Sequence, residues 1–381
     1  MWSGEMAKSR SALLVFGTRP EAIKMAPLQK AFERDGRMKA ILCATAQHRE
    51  MLDQVLGFFE MKPDYDLNLM TPGQKLPELM AKCLTGVTEV IEKSRPSIVI
   101  VQGDTATAFV AGLAAFHAGL PVAHVEAGLR THNKWSPFPE EMNRKLLGAL
   151  SDFHFAPTQP SVENLLREGV AHDRVYMTGN TSIDALLWAK DRVNGENLGI
   201  DSELFRNKKI VLMTAHRREN FGEPMKRIFA CVNEITKKHQ DLHFVYPVHP
   251  NPNVAGLARE MLDGNPAVTL MEPVQYPELV YLLGKCHFVF TDSGGIQEEA
   301  PSLGKPVLVL REDTERSEAV DAGCAFLVGS SPELINAKVD ALMDESTGLY
   351  EQMAKVANPF GDGTASRQIV DVICRGLLKP L

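Results

Sequence analysis

Three acidic residues in the first half of the chain stand where side chains that move protons would be placed. Glu126 directly follows the apolar run 122–125, and Asp104 lies just beyond the run 98–101. Glu140 comes where a helix is predicted to begin. A carboxylate at the end of an apolar strand is partly buried and needs a partner or a task, although acids at helix starts also act as caps. Together the three form a set suited to acid–base chemistry at a sugar-like carbon.

The second half of the chain has arginines, a histidine and glycines at comparable positions, and these residue types favour a phosphate. His216, Arg217 and Arg218 follow the apolar run 210–213, and guanidinium groups match the geometry of phosphate oxygens. Further on, two glycines at a strand-to-helix turn let backbone amides approach a phosphate, and a glutamate one turn later can accept from ribose hydroxyls. The residues of this second group are Ser293, Gly294, Gly295 and Glu299, followed after the next strand by Arg311 and Arg316.

The loop after the first predicted strand is a further candidate for anion binding. Gly17 permits a tight turn and Pro20 suits the start of a helix, whose free backbone amides would face an anion. Arg19 and Lys24 add positive charge beside these amides. The alternative is an ordinary strand-to-helix turn with solvated basic side chains.

No signature of a bound cofactor or metal accompanies these residues. The sequence contains neither GxGxxG nor GxxxxGK[ST], which leaves a standard dinucleotide fingerprint and a P-loop unsupported. It also lacks HExxH and any His/Cys cluster with zinc spacing, and the DxD at 64–66 is too short a pattern to indicate a metal. We therefore expect neither a cofactor nor a metal.

Short apolar runs alternate with helix-length segments along almost the whole chain, and these elements must position the candidate residues. Near-continuous apolar strands separated by helices are typical of parallel sheets covered on both faces. The fold class is therefore α/β, with ligands bound beyond the carboxyl ends of the strands. One such predicted helix spans 295–303, and a last one begins near 366.

Length and composition limit the possible classes. The 381 residues suit two domains, and the polar stretch 190–209 divides the chain almost in half. A net charge of −7 argues against a general nucleic-acid or anionic-membrane binder. No apolar run is long enough to span a bilayer or to act as a secretory signal, and the six scattered cysteines suit buried free thiols. We expect a cytoplasmic protein without disulfides.

Taken together and in order, these motifs resemble those of the non-hydrolysing UDP-N-acetylglucosamine 2-epimerases, which interconvert UDP-GlcNAc and UDP-ManNAc. The resemblance extends from about residue 13 to the final helix, and it adds the segment 47–52 to the motifs above. It implies a glycosyltransferase-B-like fold, in which two Rossmann-like doubly wound domains face a cleft and the last helix crosses back. The implied domains are 11–189 with 366–381, and 190–365.

The resemblance also implies roles for individual residues. Asp104, Glu126 and Glu140 look like the acid–base set, and His216 joins them as a candidate catalytic residue near the diphosphate. Arg19 and Lys24 would line the substrate site of the first domain. Activation by the substrate at a neighbouring pocket, and a homodimer, are further properties of similar proteins. The UDP-binding positions are matched by His216, Ser293, Gly294, Gly295, Glu299 and Arg316, and the allosteric positions by Gln47, Arg217 and His249; His249 alone is equally compatible with a structural role.

The implied reaction removes UDP and adds it back through a 2-acetamidoglucal intermediate, and it would supply ManNAc units for bacterial surface polysaccharide. Two faces of C2 must exchange protons, which explains more than one carboxylate and no nicotinamide cofactor. Three alternatives stay open. They are a hydrolysing epimerase that releases ManNAc, a glycosyltransferase of the same fold, and a catalytically idle sensor of sugar nucleotides.

Overall fold

The computed structural model describes residues 10–45, 49–71, 73–200 and 202–378. The chain forms two units, the first reaching Ala185 and resuming at Gly361, the second running from Leu186 to Phe360. The polar stretch 190–209 thus belongs to the second unit. The domain bounds at 190 and 366 that the sequence suggests stay a prediction.

The first unit is built on a parallel sheet with strand order β3-β2-β1-β4-β5-β6-β7. Its central strand β1 is buried at every residue, as expected of a strand covered on both faces. Neighbouring strands run in the same direction, so that Leu13 pairs with Ile41 on one side and Val99 on the other. The strands are β1 (Ser11–Phe16), β2 (Lys39–Ala44), β3 (Tyr65–Asp66), β4 (Ile98–Gln102), β5 (Val122–Val125), β6 (Phe153–Ala156) and β7 (Val175–Met177).

Helices connect successive strands of this sheet and cover it. The long helices α3 and α4 pack on each other against the apolar strands, around a core that includes Val15, Cys83 and Leu147. The helices up to the unit boundary are α1 (Arg19–Asp35), α2 (Arg49–Phe58), α3 (Leu76–Ser94), α4 (Ala106–His117), α5 (Glu140–Leu150), α6 (Gln159–Arg167) and α7 (Thr181–Lys190). The boundary between the units lies within α7.

The second unit repeats the architecture with a parallel sheet of order β10-β9-β8-β11-β12-β13. Its core includes Phe229, Phe244 and Phe290, all fully buried. The strands are β8 (Lys209–Thr214), β9 (Leu242–Pro247), β10 (Val268–Met271), β11 (Phe288–Thr291), β12 (Val307–Val309) and β13 (Ala325–Leu327). The helices are α8 (Gly195–Leu198), α9 (Glu223–Lys238), α10 (Pro252–Leu262), α11 (Tyr276–Lys285), α12 (Gly294–Glu299), α13 (Ser317–Asp321), α14 (Pro332–Met343) and α15 (Leu349–Ala354).

The single helix predicted over 295–303 is wrong in one respect. The α-helix α12 ends at Glu299, and a 3₁₀ turn follows from Ala300 to Leu303. Pro301 explains the change, because proline has no amide hydrogen to continue the i→i−4 ladder.

The last helix, α16 (Ala365–Leu378), returns to the first unit as predicted. It packs against α1, and Arg37 Nη2 donates to Asp371 Oδ1 over 3.0 Å. Arg10 Nη1 donates to the carbonyl of Leu377 over 2.7 Å. These contacts fasten the end of the chain to its first strand and helix.

The predicted class, an α/β fold with two parallel sheets, is confirmed. All six cysteines are buried and free, and burial raises the pKa of the Cys43, Cys83 and Cys286 thiols to about 12. Within the described ranges, no helix combines the length and apolar character needed to cross a membrane.

Candidate active site

In the first unit, the candidate carboxylates lie where parallel strands end at one edge of the sheet. Glu126 follows β5 with its backbone at φ 63°, a left-handed conformation that is uncommon for a residue with a side chain. Its residue surface is 8% exposed. Lys24 Nζ lies 2.7 Å from Glu126 Oε1 and 2.6 Å from Oε2. The ammonium group thereby compensates the buried carboxylate charge.

Two side-chain amides complete the surroundings of this carboxylate. Gln102 Nε2, from the end of β4, donates to Glu126 Oε2. Asn180 Nδ2, from the residue before α7, donates to Oε1 over 3.1 Å. Donors from α1, β4 and the start of α7 therefore converge on Glu126.

Asp104, also predicted, lies close to this group. The helix cap that follows β4 is Thr105, whose hydroxyl accepts from the amide of Ala108, so the Asp104 carboxylate is not used as a cap. Arg144 Nη2 lies 3.0 Å from Asp104 Oδ2. Burial raises the pKa of Asp104; Arg144 opposes the shift, and the negative charge of Glu126 adds to it. A carboxyl with a raised pKa can carry a proton closer to neutral pH.

The adjacent acids Glu140 and Glu141 have different positions. Glu141 is fully buried and accepts from the amides of Thr131 and His132, each over 3.0 Å. It therefore holds the preceding loop and does not cap its own helix. Glu140 begins α5, is half-buried, and contributes negative charge near Asp104. Of the pair, Glu140 is the one placed to act on Asp104.

The two amides that precede α1 are not free to bind an anion, whereas anion binding by the amides of α1 itself stays a prediction. Glu21, which is 1% exposed, accepts from the amides of Gly17 and Thr18 over 3.0 and 2.7 Å. Its other oxygen accepts from Thr105 Oγ1 over 2.6 Å. Gly17 serves close packing, since a Cβ there would collide with the Thr45 hydroxyl. The Glu21 carboxylate therefore holds this loop in place.

The basic residues of that loop are placed differently from each other. Lys24 reaches Glu126, so its predicted site role is now tied to a catalytic candidate. Arg19 is the first residue of α1 and is half-buried.

In the second unit, a carboxylate at the end of β11 organises the loop that carries His216. Asp292 is fully buried, and its Oδ2 accepts from the amides of His216 and Arg217, each over 2.8 Å. Asn220 Nδ2 adds a third bond of 3.0 Å. The loop that carries His216, Arg217 and Arg218, predicted to bind phosphate, is therefore held by an acid that directly follows β11.

His216 itself lies between this acid and a second histidine. Its Nδ1 is 3.4 Å from Asp292 Oδ1, and its ring stacks on that of His249 at a centroid distance of 5.3 Å. Burial lowers the pKa of His216, while Asp292 opposes that shift. Of the predicted allosteric residues, Arg217 and His249 thus lie beside His216, and Gln47 lies outside the described residues.

The turn into α12 places the remaining predicted residues of the second unit. Ser293 is the cap residue before Gly294 and Gly295. A Cβ on Gly294 would lie 2.8 Å from Arg316 Cζ, whereas one on Gly295 would meet nothing within 4 Å. Arg316 Nε donates to Glu298 Oε1 over 2.9 Å. A side chain at position 294 would therefore have to displace the guanidinium that lies over it.

Two further predicted residues of this unit are held by internal partners. Glu299 is 7% exposed and faces the buried Tyr276 phenol, whose pKa is raised well above its ordinary value by burial and by that carboxylate. Arg311 lies 2.6 Å from Glu219 Oε1 and 2.8 Å from Glu315 Oε2, with 9% of its side chain exposed. Arg311 is thus held by two carboxylates of the same unit, and its expected diphosphate role stays a prediction.

Sequence reasoning missed several residues that build these groups. Gln102 and Asp292 lie at predicted strand ends, which was a usable signal, whereas no strand or helix was predicted beside Asn180. Neutral amides carry no charge pattern, and their carboxylate partner is distant in sequence. Within the described ranges, no group of three or more His, Cys, Asp or Glu is arranged to hold a metal ion.

The whole chain was compared with known protein families and sequences. The sequence model described as UDP-N-acetylglucosamine 2-epimerase matches residues 30–374. A UDP-N-acetylglucosamine 2-epimerase of Yersinia pestis is 50% identical over 367 residues, covering 95% of this chain and 97% of that protein.

Two solved structures are similar over almost the whole chain. The UDP-GlcNAc 2-epimerase of Neisseria meningitidis, described as bound to UDP-GlcNAc, has a TM-score of 0.86 and 48% identity, covering 96% of this chain and 100% of that one. The enzyme of Methanocaldococcus jannaschii, in complex with UDP-GlcNAc and UDP, has a TM-score of 0.76 and 32% identity, with coverage of 96% and 100%.

Proposed function

Because the chain belongs to the UDP-N-acetylglucosamine 2-epimerase family, we propose that it interconverts UDP-GlcNAc and UDP-ManNAc without releasing the free sugar. The observation that carries this proposal is the pairing of Glu126 with Lys24 beside the Asp104–Arg144 pair. Two carboxylates close to each other are what proton transfer at two faces of one carbon needs.

The chemistry of the substrate defines the steps. C2 of UDP-GlcNAc has no neighbouring carbonyl, so its proton is not acidic enough for direct removal. As the bond from C1 to the diphosphate oxygen breaks, its electron pair leaves with UDP and C1 becomes positive. The C2 proton then passes to a carboxylate, and a C1=C2 double bond forms in 2-acetamidoglucal. Re-addition of UDP to C1, with a proton delivered to the other face of C2, gives the epimer.

The first unit supplies the proton-transfer groups in this proposal. The ammonium group of Lys24 favours the ionised form of Glu126, which suits it to accept the C2 proton. The raised pKa of Asp104 suits it to hold the proton for the opposite face. Glu140 contributes to that raised pKa, and Arg144 limits it. The roles of Glu126 and Asp104 are exchanged in the reverse reaction.

The second unit supplies the groups for UDP. His216 is the candidate that stabilises the departing diphosphate, with Arg316 and the amides of Gly294 and Gly295. The buried Glu299 is the candidate for the ribose hydroxyls. The solved relatives from Neisseria meningitidis and Methanocaldococcus jannaschii, described with UDP-GlcNAc bound, support this class of ligand.

We extend the proposal to regulation and biological role. Activation by UDP-GlcNAc would use Gln47, Arg217 and His249, and the chain would act as a homodimer. Its product would supply ManNAc units for bacterial surface polysaccharide.

The test is to incubate the protein with UDP-GlcNAc and to follow proton and phosphorus NMR spectra. We expect UDP-ManNAc to accumulate to an equilibrium mixture with no loss of UDP-sugar. Release of UDP with free ManNAc would replace the proposal with a hydrolysing epimerase. A product that forms only with an added acceptor would indicate a glycosyltransferase, and unchanged substrate would indicate a sensor.

A further inference from the structure

Asn180 uses both ends of its side-chain amide, and each end has a different partner. Its Oδ1 accepts from the amide of Ser182 over 3.0 Å, in the manner of a residue that caps α7. Its Nδ2 donates to Glu126 Oε1 over 3.1 Å. Only 2% of the residue is exposed. The bond to the helix start fixes which end of the amide faces the carboxylate.

The other oxygen of Glu126 accepts a hydrogen bond from the end of β4. Gln102 Nε2 donates to Oε2, and Lys24 Nζ spans both oxygens. A carboxylate with a directional donor on each oxygen cannot rotate about its last bond without losing one of them. Its plane is therefore set by amides that lie in the first unit and carry no charge.

The backbone conformation of Glu126 also needs to be held by surrounding contacts. The residue has φ 63°, in the left-handed region that costs about 1 kcal/mol or more for a non-glycine residue. Strained positions of this kind persist only where surrounding contacts hold them. The donors on the side chain are among those contacts.

We propose that Asn180 is a positioning residue for Glu126: its amide keeps the carboxylate oriented towards the substrate and favours the ionised form. This inference rests on the proposed function, in which Glu126 accepts the C2 proton. Asn180 does not touch the reacting atoms in this account. It acts by donating to the base and by capping α7.

Several charged or titratable groups act on the same carboxylate, and the test must hold them constant. Lys24 faces it from α1, Asp104 lies beyond β4, and His124 lies on β5. Arg144 and Glu140 of α5 act on Asp104 in turn. None of these groups is altered by a substitution at residue 180.

Two substitutions separate donation from capping. Asn180→Asp keeps an oxygen for the Ser182 amide but turns a second acceptor towards Glu126. Two carboxyl groups this close share a proton, so the acid limb of the kcat–pH profile should move up by about one pH unit or more. Asn180→Ser keeps a capping hydroxyl and removes the donor without adding charge. We expect a smaller shift in the same direction, a fall in kcat of about tenfold, and little change in KM.

The matched control is Asn164→Ser. Asn164 Nδ2 donates to the carbonyl of Gly128 over 3.0 Å, so it supports the loop after β5, which also contains Glu126. It does not donate to the Glu126 carboxylate. This variant should leave the pH profile unchanged. Equal profiles for wild type, Asn180→Ser and Asn180→Asp, or the same shift in Asn164→Ser, would overturn the inference.

A second readout does not depend on activity or on the Asp variant folding. The carboxyl carbon of Glu126 can be titrated by ¹³C NMR in wild-type protein and in Asn180→Ser. We expect a higher pKa in the variant, and an equal pKa would overturn the inference. If wild-type protein converts no UDP-GlcNAc, the proposed function fails, while this titration still decides the effect of Asn180 on Glu126.

Discussion

Glu126 in the first unit and Asp292 in the second are buried carboxylates that follow parallel strands, yet their partners differ in kind. Glu126 is surrounded by an ammonium group and two side-chain amides. Asp292 accepts two backbone amides and the side chain of Asn220. The first retains 8% exposure, and the second has none.

This difference distinguishes buried acids that are suited to proton transfer from buried acids that hold a loop in place. A carboxylate bound to backbone amides holds a loop in place, and protonating it would release that loop. A carboxylate compensated by side chains can gain and lose a proton while the backbone stays in place. Glu21 and Glu141 belong with Asp292 in this respect, and Asp104 belongs with Glu126.

The largest expected effect is on turnover in the first unit. Asp104→Asn removes the proton carrier and should lower kcat by about 10³-fold, within the usual range for general acid–base catalysis. Glu140→Gln, its matched contrast, acts only through the charge near Asp104 and should lower kcat by about tenfold or less. Initial rates of UDP-ManNAc formation measure both. Equal losses in the two variants would show that Asp104 has no special role.

A large effect on stability, with a smaller one on chemistry, is expected in the second unit. Asp292→Asn replaces a charged acceptor that holds the loop amides of His216 and Arg217, and should lower the free energy of unfolding by about 2 kcal/mol. Turnover at saturating substrate should fall far less than in Asp104→Asn. Urea unfolding and steady-state kinetics test this together. Unchanged stability with abolished turnover would make Asp292 a catalytic group and remove the contrast.

Two neighbouring glycines give a smaller and well-controlled effect. The methyl group of Gly294→Ala would lie 2.8 Å from Arg316 Cζ, so the guanidinium, which is the end of a flexible side chain held by Glu298, must move. We expect a loss of about 1 kcal/mol in stability without ligand. Gly295→Ala meets nothing within 4 Å and should be neutral or slightly stabilising. Urea unfolding of both variants makes the comparison. If Gly295→Ala were the less stable of the two, the packing of Arg316 on Gly294 would not explain the glycine.

The pH dependence of stability offers a further comparison between the two units. His124 donates from Nε2 to the carbonyl of Gly103, and burial lowers its pKa to about 3. As the pH falls from about 6.5 to 3, the unfolded chain binds a proton that the folded chain excludes, so stability is lost. His124→Gln should make the slope at pH 5 shallower by about 1.4 kcal/mol per pH unit.

The matched variant in the second unit is His216→Gln. Asp292 opposes the lowering of the His216 pKa, so this substitution should change the slope less. Unfolding curves between pH 4.5 and 7 measure both. Equal slopes in His124→Gln and wild type would show that His124 is not kept neutral by folding.

The sequence was sufficient to predict the parallel sheets and most of their central strands, because strands buried on both faces are apolar throughout. It did not reveal six strands, namely β2, β3, β6, β7, β10 and β13. The residues of β3, β7, β10 and β13 are mostly only partly buried and carry no strong pattern, whereas β2 and β6 are largely buried. Their place is decided by pairing with a neighbour that is already in the sheet. Pro301 could have indicated that α12 ends before it, but the helical pattern of the residues around it favoured one continuous helix.

The candidate site shows the same limit at the level of single residues. Glu126 could be predicted because a charge after an apolar strand is unusual. Asn180 and Gln102, 54 and 24 residues away in sequence, could not, since a neutral amide becomes informative only when its partner is known. Nor could the sequence show that Glu21 accepts from the amides of Gly17 and Thr18, since its position also depends on Thr105 from another loop. Burial and partner choice are properties of the folded chain.

The most direct measurement of the central claim is the exchange of the C2 proton in deuterated water. Wild-type protein should incorporate deuterium at C2 in every UDP-ManNAc molecule it forms, as followed by proton NMR. Glu126→Gln keeps the shape of the side chain but cannot accept the proton. The rate of deuterium incorporation should therefore fall by about 10³-fold in this variant. Incorporation by Glu126→Gln at a rate near that of wild type would contradict the account.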